Sequence, residues 1–137
     1  MSDFRNTPVR DLVNSDVRTI NPDGLLSAAA RAMLENHITC LVVDLQDPAR
    51  GYGIITQKDI IGLVFDDSVD HESTTVGDVM THPTLALSPQ WNLETAVSLM
   101  RMMGVRRAPV VDGDRLLGLL SFTDVFRHVV QGDGAGG

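Results

Sequence analysis

Gly53-Ile54-Ile55-Thr56-Gln57-Lys58-Asp59 and Gly118-Leu119-Leu120-Ser121-Phe122-Thr123-Asp124 carry one pattern: a glycine, two apolar residues, a hydroxyl, and an aspartate three residues after the hydroxyl. The two stretches lie 65 positions apart in a chain of 137 residues. Working outward, Val42-Val43-Asp44 returns as Val110-Val111-Asp112 at an offset of 68. At an offset of 67, Ala29 and Met33 return as Ala96 and Met100, Ile38 as Val105, and Ile20-Asn21-Pro22 as Leu87-Ser88-Pro89. Val9-Arg10-Asp11-Leu12-Val13 returns as Val76-Gly77-Asp78-Val79-Met80 at the same offset. A repeat of this period is the signature of two copies of one supersecondary unit, and it fills most of the chain.

Periodicity gives the elements within each copy. Leu93, Ala96, Val97, Met100 and Met103 follow the spacing of an amphipathic helix over 92–103, with Asn92 as N-cap and Gly104 as its stop. Two short apolar runs at 107–112 and 116–122, separated by Asp112-Gly113-Asp114, predict an antiparallel hairpin. A further helix runs from Thr123 or Asp124 to about Val130. The first copy predicts an alanine-rich helix over 24–36 and strands at 39–44 and 52–57. Each copy therefore reads strand, helix, strand, strand, helix, led by a short helical stretch at 9–13 or 76–81. The fold class is α/β (α+β), with boundaries at 1–8 for an N-terminal extension, 9–65 and 76–131 for the copies, 66–75 for an acidic linker and 132–137 for a disordered tail. At about sixty residues neither copy buries enough surface to be comfortable alone, which predicts a shared core between their sheets.

Composition narrows the function classes. Eleven Lys and Arg against eighteen Asp and Glu leave a net charge of −7. A long polyanionic partner needs clustered cations, so nucleic acid is not expected as a ligand. With 43% apolar and 21% charged residues the chain is a folding sequence, and it has no run of about 18 apolar residues to span a membrane. The stretch from Met1 to Asn6 lacks the apolar core of a secretory signal. Cys40 is the single cysteine, so neither an internal disulfide nor a cysteine-built zinc site can form. A reducing, cytoplasmic setting is expected.

The duplicated residues resemble the cystathionine-β-synthase (CBS) motif, and the pair resembles a Bateman module over 9–130. The resemblance rests on Pro22, Leu26, Ala29 and Met33 with their counterparts Pro89, Leu93, Ala96 and Met100, on the Val-Val-Asp strand ends, and on the glycine-to-aspartate turns quoted above. It implies two β-α-β-β-α motifs packed through their sheets with pseudo-two-fold symmetry, with clefts for adenosine-containing ligands and a tendency to form homodimers.

An adenosine phosphate asks for an apolar slot, a carboxylate for the ribose diol, and hydroxyl, amide or guanidinium donors for phosphate. By resemblance Asp59 and Asp124 accept from the ribose and Thr56 and Ser121 face phosphate at a helix start. The other reading of the same residues is helix capping, with the aspartate as N-cap and the hydroxyl as a turn residue. In the second copy Gly104-Val105-Arg106-Arg107-Ala108-Pro109 matches the family strand that lines the base pocket. Val105 and Ala108 would touch the base, and Arg106 or Arg107 would reach phosphate. Thr123, Lys58, Ile38, Thr19 and Thr84 complete the candidate ligand-binding set. The first copy departs from the pattern, since His37 stands where glycine is expected and no proline follows, which predicts one good site and one degenerate or differently selective site.

His37, His71, His82 and His128 share no metal-ligand spacing, so no metal is assigned. Cys40 reads as a small core residue, and Met100, Met102 and Met103 as core or dimer packing. No catalytic residue and no catalytic cofactor are expected. The chain reads as a non-enzymatic sensor for an adenosyl small molecule, an AMP-type adenine nucleotide or else NAD or S-adenosylmethionine. It would act as a homodimer and signal through its geometry or a trans-acting effector protein. The alternative is a ligand-independent interaction scaffold.

Overall fold

The computed structural model describes residues 4–47, 49–82 and 84–131, together with the helical backbone of 132–136. It divides into two compact units, one made of Val17–Thr84 and the other of Met1–Asp16 with Leu85–Gly137. The fold is mixed α/β, as the repeat implies.

In the Val17–Thr84 unit, strand β1 (Thr19–Ile20) runs parallel to β2 (Cys40–Asp44), which pairs antiparallel with β3 (Tyr52–Thr56). Helix α1 (Leu26–Asn36) buries Leu26, Ala29 and Met33 at helical spacing, and α2 (Gln57–Val64) follows β3 without a gap. With Leu41, Val43, Ile55 and Val76 these side chains form one apolar core. In the other unit, α4 (Leu93–Met103) presents Leu93, Ala96 and Met100 to a core with Val9, Leu87, Ala108, Val110 and Leu120. There β4 (Arg107–Asp112) and β5 (Arg115–Ser121) form the expected hairpin and lead into α5 (Phe122–Gly136). The counterpart of β1 shrinks to one parallel bridge between Leu87 and Val110. Of the stretch 132–137, for which a disordered tail was expected, the backbone of 132–136 continues α5, and Gly137 lies outside the described residues.

The helices stop as the sequence predicts, by different residues. Asn92 caps α4 by accepting the Thr95 amide at 2.9 Å, and Gly104 ends it in the left-handed conformation at φ 70°. His37 performs the same turn for α1 at φ 54°, the Ile38 amide reaching the Met33 carbonyl at 3.0 Å. A non-glycine residue there costs on the order of 1 kcal/mol, a cost the following strand evidently overrides.

The leading segments cross over. Val9 is buried among the second copy's side chains, and Val76, from α3 (Val76–Val79), among the first copy's. Asn14 exchanges two backbone hydrogen bonds with Leu119, at 2.9 and 3.1 Å, while Thr81 exchanges two with Ile54, at 2.8 and 3.0 Å. Each crossing runs over the glycine that opens the quoted pattern. A Cβ at Gly53 would lie 2.6 Å from Met80 Sδ, and one at Gly118 would collide with the Asn14 carbonyl oxygen. Those two glycines permit close backbone approach, which explains their place in the repeat.

Candidate functional site

The aspartates lie where a strand becomes a helix, and hydrogen bonding explains why. At the start of α2 the Thr56 hydroxyl accepts the Asp59 amide at 3.1 Å while the Asp59 carboxylate accepts the Thr56 amide at 3.0 Å. This reciprocal capping box satisfies two amides that the first helical turn leaves without partners. The hydroxyl residue, not the aspartate, is the N-cap. At the start of α5 the Ser121 hydroxyl accepts the Asp124 amide at 3.2 Å and donates to the Asp124 carboxylate at 2.9 Å. The other carboxylate oxygen of Asp124 is 3.3 Å from the Arg127 guanidinium. A third pair, Thr75 and Asp78, makes the same box at α3, where no ligand site was expected. The carboxylates of Asp59 and Asp78 thus cap backbone amides, whereas that of Asp124 is held by the Ser121 hydroxyl and Arg127.

The strand ends place cations differently around the two turns. Arg107 is the cross-strand partner of Ser121, so its side chain leaves the sheet beside that hydroxyl and the first turn of α5. In the first copy the residue opposite Thr56 is Cys40. Arg106 is exposed just before β4, and its carbonyl accepts the Phe122 amide at 2.9 Å, closing the strand against the helix. Thr39 does the same for Gln57 at 2.8 Å. The second copy thus sets Arg107 and Arg127 about Ser121 and Asp124, where the first has Cys40 and Gly62. Arg127 was missed at the sequence level, and its signal was the i, i+3 spacing of opposite charges on a helix.

The remaining candidates scatter. Thr123 and Lys58 are exposed on α5 and α2. Ala108 and Pro109 are buried, Ala108 within the core, and Val105 packs against that core. Gly104 is occupied in ending α4. Thr84 joins the Val17–Thr84 unit, its hydroxyl donating to the Tyr52 carbonyl at 3.1 Å, and Thr19 is exposed on β1 opposite Val42. Ile38 lines a groove of about 450 Å³ between α1 and α2, with Met33, Leu34, His37, Gln57 and Ile60 among its walls. Of the second copy's set, Arg107, Ser121 and Asp124 are brought together.

His71, His82 and His128 hydrogen-bond the Leu63 carbonyl, the Arg50 carbonyl and the Thr7 hydroxyl, at 2.9, 2.7 and 3.3 Å. Among the described residues no group of three His, Cys, Asp or Glu side chains could hold a metal ion, and no helix is long and apolar enough to cross a membrane.

Comparison with known proteins matches the two copies directly. The family profile described as CBS domain covers residues 9–66 and 76–131. Hypoxic response protein 1 of Mycobacterium tuberculosis is 28% identical over 125 residues, 91% of this chain and 87% of that protein. Its crystal structure with two coordinated zinc ions superposes with a TM-score of 0.75 over 89% of this chain and 98% of that one. A crystal structure of CBSX2 in complex with AMP is 27% identical, with a TM-score of 0.74 over 93% of this chain and 98% of that one. A hexameric CBS-CP12 protein from bloom-forming cyanobacteria is 26% identical, with a TM-score of 0.81 over 92% of this chain and 73% of that one.

Proposed function

Because this chain belongs to the CBS domain family through both of its repeats, we propose that it is a non-enzymatic regulatory module whose β5–α5 turn binds an AMP-type adenine nucleotide. The observation that carries this reading is the cluster of Arg107, Ser121 and Asp124, in which one cation, one hydroxyl and one carboxylate meet at a helix start. The ribose diol offers two donors, and Asp124 is the acceptor for them once its carboxylate leaves Ser121. The freed Ser121 hydroxyl, the Arg107 fork and the positive end of α5 then suit a phosphate. The resemblance to CBSX2, whose structure holds AMP, supports the ligand class.

A ligand regulates only through differential affinity for two states of the protein. Moving the Asp124 carboxylate from the Ser121 hydroxyl and Arg127 to ribose is such a difference, since it changes what holds the first turn of α5. The output passes through homodimer geometry or an effector protein in the cytoplasm. The test is thermal unfolding with AMP, ADP, ATP, NAD and S-adenosylmethionine. A ligand at a hundred times its Kd adds about 2.7 kcal/mol of stability. AMP is expected to shift the wild type, and Asp124→Ala to abolish the shift. No shift with any of the five contradicts the reading.

The second reading, a ligand-independent scaffold, draws support from Thr75 and Asp78, whose identical capping box serves a helix with no candidate site. A scaffold keeps its partner when Asp124→Ala is introduced and shows no nucleotide shift before or after.

A further inference from the structure

The carboxylates of Asp59 and Asp124 start from the same backbone and end on different partners. In both turns the hydroxyl accepts the aspartate amide, at 3.1 Å for Thr56 and 3.2 Å for Ser121, and the first helical residue bonds the carbonyl just ahead of the facing strand. Yet Asp59 folds back to accept the Thr56 amide at 3.0 Å, and Asp78 does the same with Thr75 at 3.1 Å. Asp124 instead accepts from the Ser121 hydroxyl at 2.9 Å and from the Arg127 guanidinium at 3.3 Å. Three residues after these aspartates stand Gly62, Thr81 and Arg127, and of the three only Arg127 carries a charge.

We infer that Arg127 is a positioning residue for the proposed ribose site: it keeps the Asp124 carboxylate from locking onto the Ser121 amide, so that its oxygens can pass to a ligand's ribose hydroxyls. The inference rests on the AMP reading and names what prepares the site for it. A carboxylate that caps its own helix start must first abandon an amide that has no other partner, and that release is lost from ligand affinity. Release from Arg127 costs less, because the guanidinium is 59% exposed and water takes the place of the carboxylate. An exposed pair adds little to stability, but here it has only to outweigh one neutral amide for the same carboxylate. A charged donor does so, being about twice as strong as a neutral one. The serine does not explain the difference by itself, since a threonine hydroxyl can donate to a carboxylate in the same way. Gly62 supplies no donor and leaves Asp59 in its box, while a Cβ there would meet no atom within 4 Å, so an arginine fits.

Amide hydrogen exchange in the ligand-free full chain reads where the carboxylate sits, and AMP calorimetry reads the consequence, with thermal unfolding to confirm folding. Arg127→Met is expected to slow exchange at the Ser121 amide by roughly threefold to tenfold as a new cap forms, and to raise the AMP Kd by a similar factor. Arg127→Lys, which keeps the charge, is expected to hold both within about twofold of wild type. Gly62→Arg is expected to speed exchange at the Thr56 amide by roughly threefold to tenfold. A merely structural role would move the unfolding temperature and neither amide. Ser121 exchange that is unchanged in Arg127→Met, or slowed as much by Ser121→Thr with Arg127 intact, overturns the positioning role. So does an AMP Kd that falls in Arg127→Met, since the guanidinium would then compete with ribose. A wild type that takes no AMP overturns the nucleotide reading that this role serves, whereas a wild type that binds AMP beside an unmoved Ser121 amide in Arg127→Met overturns the role alone.

Discussion

The turn from β3 into α2 and the turn from β5 into α5 are built on the same backbone plan and equipped for different work. Both close with an amide-to-carbonyl bond from the first helical residue, 2.8 Å at Gln57 and 2.9 Å at Phe122, and both use a hydroxyl and an aspartate three residues apart. Around Asp59 the carboxylate answers the backbone, whereas around Asp124 it answers a hydroxyl and a guanidinium with Arg107 across the strand. The difference teaches that the repeated motif specifies a helix start; on the proposed reading the residues at the strand end decide whether it also attracts an anion.

The largest effect expected from breaking the symmetry is on folding. Both crossings need glycine, yet a side chain at Gly118 meets the Asn14 backbone, which cannot yield, whereas at Gly53 the first obstacle is the flexible end of Met80. Gly118→Ala should cost about 3 kcal/mol and Gly53→Ala about 1 kcal/mol in urea unfolding. Equal losses would show that the crossings are equivalent after all. Next comes binding. Arg107→Ala should weaken AMP affinity on the order of tenfold, Cys40→Ala should leave it unchanged, and Cys40→Arg should add affinity at the first turn by supplying the missing guanidinium. Calorimetry reads all three. Thr56→Ala and Ser121→Ala should each cost about 1 kcal/mol of thermal stability as lost caps, whatever their effect on ligand.

The smallest effect sits in the acidic stretch that follows α2. Asp66 is held below the ordinary carboxylate value by the hydroxyl and amide of Ser68, and Asp70 by the Ser73 side chain and the Glu72 amide. A carboxyl lowered in the folded state contributes stability above its unfolded pKa and loses it as pH falls through the folded one. These turns should therefore loosen only in acid, below the usual aspartate range, seen as chemical-shift changes at Ser68 and Ser73. Ser68→Ala should raise the midpoint at Asp66.

Much of this was legible in the sequence because it is local. The α4 boundaries follow from Asn92, the apolar spacing and Gly104, and the hairpin from its Asp112-Gly113-Asp114 turn. The aspartates and hydroxyls could be placed at helix starts because that spacing is set by one turn of backbone. The crossing of Val9 and Val76 into the opposite cores was not legible, since both segments fit either copy by pattern and only the approach over Gly53 and Gly118 decides. His37 illustrates a second limit: its left-handed turn imitates Gly104 at a cost that tertiary packing overrides. Arg127 was readable only as a helix pair, because its role depends on which way Asp124 faces.

The central claim is that the two turns differ in ligand binding, and a calorimetric titration of AMP into wild type, Asp124→Ala and Asp59→Ala tests it most directly. The account predicts one strong site per chain that disappears in Asp124→Ala and persists in Asp59→Ala. Two equal sites, or a strong site lost with Asp59 and kept without Asp124, would contradict it.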